Sequence, residues 1–336
     1  MDHSVTRDTL DRPLRDLRIS VTDRCNFRCR YCMPRERFGE DHTFLPRRAL
    51  LSFQEIEKFV SACIPIGLRK VRITGGEPLL RPNLPELVKL LSSTGVEVAL
   101  TTNASLLAAN AEELAKSGLD RVTVSLDALN PSIFSSMADC AIPVTSVLEG
   151  IQSAIDHNLT PVKVNCVVQR GVNESEVPEL VRHFRGTGVI VRFIEYMDVG
   201  RTNGWSRGQV IPSSQLLDFL RAEFELIPVE PDSPSDVATR WSHADGSGEI
   251  GFISSVSEPF CGDCVRARLS ADGHLFTCLF ASGGHDLRAI IHGSSEIKEI
   301  TDAVSAVWER RTDRYSEQRS SETSSLPRIE MSYIGG

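Results

Sequence analysis

Six short apolar runs rich in β-branched residues recur through the first two thirds of the chain, at 17–21, 70–74, 96–101, 121–126, 161–168 and 189–196. Between them, apolar residues return every three or four positions over 52–66, 84–91, 106–116, 145–157 and 174–184. The runs have the pattern of buried strands, and the stretches between them that of helices with one apolar face. Ser52, with Glu55 three residues on, writes a capping box at the start of the first helical stretch. Strands alternating with helices of this length predict an α/β fold, a parallel sheet with right-handed crossovers. Six such units suit an open partial (β/α)6 barrel better than a closed eight-fold one, with the chemistry at the carboxyl ends of the strands. After Gly204 the alternation stops, and Pro231-Asp232-Ser233-Pro234-Ser235-Asp236 is a turn-rich break. Beyond it the pattern predicts strands at 249–256 and 265–269, a helix at 301–308 and a solvated charged stretch over 309–328. The chain is accordingly divided into a barrel over 1–230 and a smaller C-terminal module over 231–336.

The exceptions to the pattern carry more information than the pattern. A buried parallel strand should be almost wholly apolar. Yet Lys70 and Arg72 alternate onto one strand face, Lys163 and Asn165 onto another, and Arg18 interrupts the first run. Burying an unpaired cation is expensive, so each must meet an anion. Glu77, Asp127 and Glu195 are candidate internal partners. A polyanionic substrate inside the barrel is the alternative, and arginine's fork suits phosphate oxygens. The formal net charge of −8 argues against nucleic acid or a membrane surface as a general partner, though not against a local basic pocket. No apolar run is long enough to span a bilayer. The first dozen residues carry both signs of charge and resemble neither a signal nor a transit peptide. A cytoplasmic location is therefore expected. In that reducing setting clustered cysteines bind metal more often than they form disulfides.

Three of the nine cysteines, Cys25, Cys29 and Cys32, lie within eight residues, with Tyr31 directly before the last. Soft sulfurs converge on a soft metal or on cluster iron, and a cubane held by three thiolates keeps one iron open. A zinc knuckle lacking its fourth ligand, or unrelated thiols, are the plainer alternatives. Cys261, Cys264 and Cys278 form a second set of three, which His274 or His285 could complete as a zinc site, or which could hold a second cubane. Arg266 and Arg268 follow it at strand spacing, a cationic wall beside any cluster. At the end of the second strand run, Thr74-Gly75-Gly76-Glu77-Pro78 pairs two glycines, which would let backbone approach a ligand, with a carboxylate at the mouth. An ordinary strand-to-helix turn is the alternative there. Cys63, Cys140 and Cys166 are scattered, as packing residues would be.

The Cys-x3-Cys-x2-Cys loop followed by Gly-Gly-Glu-Pro resembles the signature of the radical S-adenosylmethionine (SAM) enzymes. Together with the second three-cysteine set, the interior cations and the Gly335-Gly336 terminus, it resembles the GTP 3′,8-cyclase (MoaA) family of molybdenum-cofactor biosynthesis. The resemblance runs from about Arg12 to the end of the chain, with one departure at Ala104, where the family usually has Gly. It implies a partial TIM-type barrel with a C-terminal module carrying a second iron–sulfur cluster. The two [4Fe–4S] clusters would rest on Cys25, Cys29 and Cys32 and on Cys261, Cys264 and Cys278. SAM would bind the open iron of the first, beside Tyr31, Gly76, Ser125 and Met197. Its reductive cleavage would give the 5′-deoxyadenosyl radical, which takes the C3′ hydrogen of GTP, and C3′ then attacks C8 of the guanine. The second cluster would hold the guanine. Arg18, Arg72, Thr101, Lys163, Arg266, Ala267 and Arg268 would contact GTP, joined by Lys70 and Arg192. The resemblance further implies a low-potential electron donor, a homodimer, a Gly-Gly tail reaching the active site, and delivery of product to cyclic pyranopterin monophosphate synthase. Two other classes are a peptide-maturing radical SAM enzyme with an auxiliary cluster and a non-enzymatic zinc-binding interaction module.

Overall fold

The six apolar runs form strands β1 (Asp16–Ser20), β2 (Lys70–Thr74), β3 (Glu97–Thr102), β4 (Arg121–Ser125), β5 (Lys163–Val168) and β6 (Ile190–Glu195), paired parallel in sequence order. These come from a computed structural model that describes residues 5–294, 296–319 and 328–335. Each strand lies within two residues of its run. In the middle of β1 and β2, Leu17, Ile19, Val71 and Ile73 are fully buried against the outer helices, while Arg18 and Arg72 alternate onto the inner face.

The crossover helices include α1 (Phe53–Cys63), α2 (Leu84–Ser92) and α3 (Ala111–Lys116). The capping box opens α1 as expected: Ser52 N–H donates to Glu55 Oε2 at 2.7 Å and Glu55 N–H to Ser52 Oγ at 3.2 Å. The helix predicted from 106 begins only at Ala111, because Ala104 takes a left-handed turn (φ 59°) and a run of turns follows. Helix α4 (Pro131–Ala138) escaped the periodicity argument. Its signal was local: Asn130 caps the N–H groups of Ser132 and Ile133, and Pro131 fills the first helical position. Helices α5 (Val144–Asp156) and α6 (Glu176–Phe184) match their predicted stretches, and α7 (Ser213–Arg221) is a further addition.

Beyond residue 225 come β7 (Leu226–Val229), β8 (Thr239–His243), β9 (Glu249–Ile253), β10 (Arg266–Leu269), β11 (His274–Phe276) and β12 (His285–Asp286). They do not build a sheet of their own. β9 lies parallel beside β6 and β10 parallel beside β1, giving one open twelve-stranded sheet in the order β12-β11-β10-β1-β2-β3-β4-β5-β6-β9-β8-β7. Helices α8 (Arg288–Gly293) and α9 (Ile297–Glu309) pack on α1, and α10 (Met331–Ile334) returns to β1. The stretch expected to be solvated after Glu309 departs from that reading. Arg311 and Arg328 are buried, because they pair with Asp8 (3.3 Å) and Asp198 (2.9 Å), and Arg319 joins Asp198 at 2.9 Å. Among the described residues no helix is long and apolar enough to cross a membrane.

Gly150 of α5 presses on the turn after β3. A Cβ there would stand 2.5 Å from the carbonyl oxygen of Ala104. Gly150→Ala is expected to cost about 1–3 kcal/mol, as overpacking does, and to lower the thermal midpoint by a few degrees. An unchanged midpoint would show that this contact does not constrain the fold.

Candidate active site

The first cysteine loop leaves the carboxyl end of β1 and is held from three sides. Gly76 N–H donates to Thr22 O and Glu77 N–H to Arg24 O, both at 2.7 Å. A Cβ on Gly76 would lie 2.2 Å from Arg24 O, and one on Gly75 would lie 2.5 Å from Thr22 O. The close approach that these glycines permit is therefore made by the chain's own cysteine loop. Glu77 is likewise not a free charge at the mouth. It is buried, accepting from Thr102 Oγ1 (2.6 Å), Asn103 N–H (2.7 Å) and Leu79 N–H (3.1 Å). Burial still pushes its pKa up to about 7. So anchored, Asn103 donates to Asn26 Oδ1 at 2.8 Å and reaches Cys25 Sγ at 3.8 Å. On the far side, Arg28 and Arg30 N–H donate to Ala138 and Met137 of α4 at 2.9 and 3.1 Å. Tyr31 donates to Asp127 Oδ2 at 2.7 Å, and Val167 N–H donates to Asp127 Oδ1 at 2.9 Å.

Cys25, Cys29 and Cys32 are free thiols facing one cavity. Burial pushes Cys25 up to about 12 and raises Cys29 and Cys32 as well. Such thiols give up their protons when iron replaces them. Among the described residues, no three His, Cys, Asp or Glu stand close enough to hold a single metal ion. A cubane takes each thiolate on a different iron, so its ligands stand further apart than those of one ion. The donor set fits a cluster better than a zinc knuckle. His274, one proposed zinc ligand for the second set, points instead to Asp272 (3.2 Å) and Tyr333 (3.3 Å).

The cavity measures about 790 Å³, and both cysteine sets line it. Cys264 lies two residues before β10, whereas Cys25 follows the end of β1, and these two strands are parallel in register. The sets therefore stand at opposite ends of the sheet's inner face. Five strand residues separate those ends, roughly 16 Å.

Cations fill the space between. The register puts Arg268, Arg18 and Arg72 side by side on neighbouring strands. The internal carboxylates expected to neutralise the interior are engaged elsewhere: Glu77 and Asp127 as above, and Glu195 with the N–H groups of Ser213, Val256 and Ser257, each at 2.8 Å. Among the described residues, Arg72 meets only the hydroxyls of Thr101 (3.2 Å) and Thr123 (3.0 Å). Arg192 meets Asn165 Oδ1 (2.9 Å), Arg268 meets the carbonyl of Gly335 (3.2 Å), and buried Arg18 Nε has no hydrogen-bond partner among the described residues. Lys163 has no carboxylate within ion-pair distance among the same residues, whereas Lys70 has Glu97 at 3.7 Å. Burial, then repulsion from Arg192 and its neighbours, pulls Lys163 down to about 8. Burial and Arg72 pull Arg192 to about 9, burial and Arg266 pull Arg268 to about 10, and Arg18 is lowered by burial and Arg268. The second set has the opposite balance. Burial works against the Cys264 thiolate, yet Arg266 and Arg311 hold that thiol at about 6.

Of the residues expected at the site, Tyr31, Gly76, Ser125, Met197, Arg18, Arg72, Thr101, Lys163, Arg266, Arg268, Lys70, Arg192 and all six clustered cysteines line this one cavity. Ala267, also expected at the site, does not line the cavity with its side chain. Its alternation on β10 sends the side chain into the apolar core beside Leu17, away from the cavity. Gly335 lies against Thr74 and Arg268, while Gly336 lies outside the described residues. Arg121 and Asn103 also line the cavity and were not expected there, whereas Asp127, expected as a partner of the interior cations, lines it bound to Tyr31 instead. For Arg121 the signal was available, since Arg121, Thr123 and Ser125 form an alternating polar face within a strand run. Cys63 and Cys166 are buried packing residues, as expected.

Comparison with known proteins agrees with this architecture. Residues 19–184 match the Radical SAM superfamily, and residues 189–317 match Molybdenum Cofactor Synthesis C. The GTP 3′,8-cyclase of Acidothermus cellulolyticus is 50% identical, over 98% of this chain and 99% of that one. That of Xanthomonas axonopodis pv. citri is also 50% identical, over 98% of each, and that of Staphylococcus epidermidis is 44% identical over 99% of each. Among solved structures, Streptococcus suis SuiB bound to S-adenosylmethionine superposes with a TM-score of 0.62 over 93% of this chain and 72% of that one. At 13% identity it speaks for the fold alone. With half its residues identical to those of such enzymes over nearly its whole length, the chain belongs to the GTP 3′,8-cyclase family of the radical SAM superfamily.

Proposed function

We propose that the chain is a GTP 3′,8-cyclase, converting GTP to (8S)-3′,8-cyclo-7,8-dihydroguanosine 5′-triphosphate, the first step of molybdenum-cofactor biosynthesis. The observation that carries this reading is the row of buried cations with no carboxylate at ion-pair distance among the described residues, set between two three-cysteine sites in one cavity. A peptide substrate would leave those cations without counter-charge; a triphosphate supplies it.

The superfamily implies one [4Fe–4S] cluster and SAM. Cys25, Cys29 and Cys32 would hold that cluster, and Tyr31, Gly76, Ser125 and Met197 would border SAM. Cys261, Cys264 and Cys278 would hold a second [4Fe–4S] cluster that receives the guanine. When bound, the first cluster and SAM supply the 5′-deoxyadenosyl radical that removes the C3′ hydrogen of GTP. This chain's residues supply position and charge. Arg18, Arg72, Arg192, Arg268 and Lys163 take the phosphate oxygens, Thr101 orients Arg72, and Arg266 stands at the second cysteine set. Held at both ends, the ribose has its C3′ fixed between the two sites, and such fixing of reacting atoms is a large part of rate enhancement in bimolecular chemistry. The barrel over 1–230 would serve SAM, and the module over 231–336 the base. A low-potential electron donor, cyclic pyranopterin monophosphate synthase as consumer of the product, a homodimer and a cytoplasmic location complete the proposal.

The function is tested by incubating the reconstituted protein anaerobically with SAM, dithionite and GTP, then separating the nucleotides. Formation of a cyclised nucleotide, which requires GTP, together with 5′-deoxyadenosine is expected. GTP recovered unchanged while SAM is cleaved would reject the reading.

The lysines predict a pH dependence. Free Lys163 and Lys70 titrate near 8, and a bound polyphosphate raises both pKa values by opposite charge. Affinity is therefore complete below about pH 8 and is lost as pH rises through the raised values, with proton uptake on binding in that window. Calorimetry of GTP binding should show this loss. Lys163→Ala should bind about ten- to hundred-fold more weakly at neutral pH, the value of a charge-assisted contact, and lose affinity less steeply above it. Affinity that is flat with pH in the wild type would mean the lysines do not meet phosphate.

A further inference from the structure

Three residues distant in sequence meet behind the second cysteine set. Arg12 Nε pairs with Asp8 Oδ2 at 2.6 Å, and Arg311 Nη1 approaches the same oxygen at 3.3 Å. The side chains are 0–2% exposed, the most buried ion-paired group among the described residues. The other Asp8 oxygen accepts from Leu10 N–H and Arg12 N–H, each at 2.9 Å. Each arginine then spends a further donor on the cysteine loop. Arg12 Nη1 donates to Cys261 O, and Arg311 Nη1 donates to Cys264 O, both at 2.6 Å. Arg12 also holds the carbonyl of Asp313 at 2.9 Å, and Asp313 accepts from the hydroxyl of Thr277, the residue before Cys278. Trp308 locks the arrangement from α9, donating to Arg12 O at 2.9 Å while its ring lies 4.5 Å from the Arg311 guanidinium. All three cysteine-bearing segments are thus tied to one buried centre.

General stability does not require this arrangement. A buried ion pair is seldom more stabilising than apolar packing of the same volume, and here two arginines meet two carboxylates, since Arg311 Nε also pairs with Asp313 Oδ2 at 3.4 Å. Backbone carbonyls held by fixed donors set the direction in which each cysteine side chain leaves the loop, as outer-shell partners do at metal sites.

We propose that Asp8, Arg12 and Arg311 form a positioning clamp for the Cys261, Cys264 and Cys278 site, so that the amino-terminal segment is a working part of the substrate end of the cavity. The clamp rests on the assignment of a second [4Fe–4S] cluster to those cysteines. It presets the loop before iron arrives and holds its carbonyls in place afterwards. Asp8→Asn removes the carboxylate that aligns both arginines. Arg12→Lys keeps a cation next to Asp8 but cannot reach both Cys261 O and Asp313 O.

The test compares wild type, Asp8→Asn and Arg12→Lys after anaerobic reconstitution. It reads iron per chain, the rate at which a chelator strips iron, and release of 5′-deoxyadenosine under dithionite. The last depends on the first cysteine set and reports that a variant is folded. Wild type should hold roughly eight irons, from two four-iron cubanes. Both variants should release 5′-deoxyadenosine normally while falling toward roughly four irons, or should lose the second cluster about ten-fold faster or more, the usual effect of deleting an outer-shell partner. If both keep full iron and wild-type stripping rates, the clamp is only part of the fold and the proposal is overturned. If wild type itself holds about four irons, the second-cluster assignment fails and the clamp's role falls with it, which the wild-type control alone reveals. If Asp8→Asn releases no 5′-deoxyadenosine because it has not folded, Arg12→Lys decides between the first two results.

Discussion

The structure is governed by positive charge that it does not neutralise. Arg18, Arg72, Arg192, Arg268 and Lys163 line one cavity, each lowered in pKa by burial and by neighbouring cations, Arg121 and Arg266 among them. Like charges held this way raise the energy of the empty protein. The parallel sheet tolerates them because its other face is strongly apolar. Leu17, Ile19, Val71, Ile73, Val98, Leu100, Val122 and Val124 are fully or almost fully buried beneath the helices. Binding a polyanion relieves that repulsion, so part of the ligand's affinity is stored in the fold before it arrives.

The same economy explains the two ends. At the carboxyl end of β1 the cysteine loop is held by backbone and neutral amides: Gly76 and Glu77 N–H, and Asn103 through Asn26. Few charges of either sign are left free there. At the amino end of β10 the second set sits among Arg266, Arg268 and Arg311. The first site brings one guanidinium, that of Arg28, onto the Cys25 carbonyl, while the second gathers Arg266, Arg268 and Arg311, which suits a cofactor end and a nucleotide end of one cavity. The strands between them fix the distance.

Much of this was legible in the sequence because it depends on alternation within a strand. Arg18, Lys70, Arg72 and Lys163 were visible as cations in runs that should have been apolar, Arg192 came in through the family resemblance, and the register then brought them onto neighbouring strands. The capping box of α1 was legible for the same reason, being local. What stayed hidden was pairing across long separations. Nothing local says that Glu77 turns inward to Thr102 and Asn103, or that Arg311 and Arg328, in an apparently solvated stretch, bury themselves against Asp8 and Asp198. The inner glycines misled for a related reason, since a sequence cannot tell a ligand from a second strand of the chain approaching the same backbone. The C-terminal strands likewise read as a separate module, because pairing of β10 with β1 joins residues 250 positions apart, Asp16 and Arg266 for example.

The central claim is that the cation face exists for the phosphates of the substrate. Its most direct test is calorimetric titration of one enzyme preparation with guanosine, GMP, GDP and GTP at neutral pH and fixed ionic strength. The account predicts affinity that rises with each phosphate, by about ten-fold or more where a further charge-assisted contact is gained, and that converges across the series at high salt. Guanosine binding as tightly as GTP would contradict it, because the buried cations would then have some other partner.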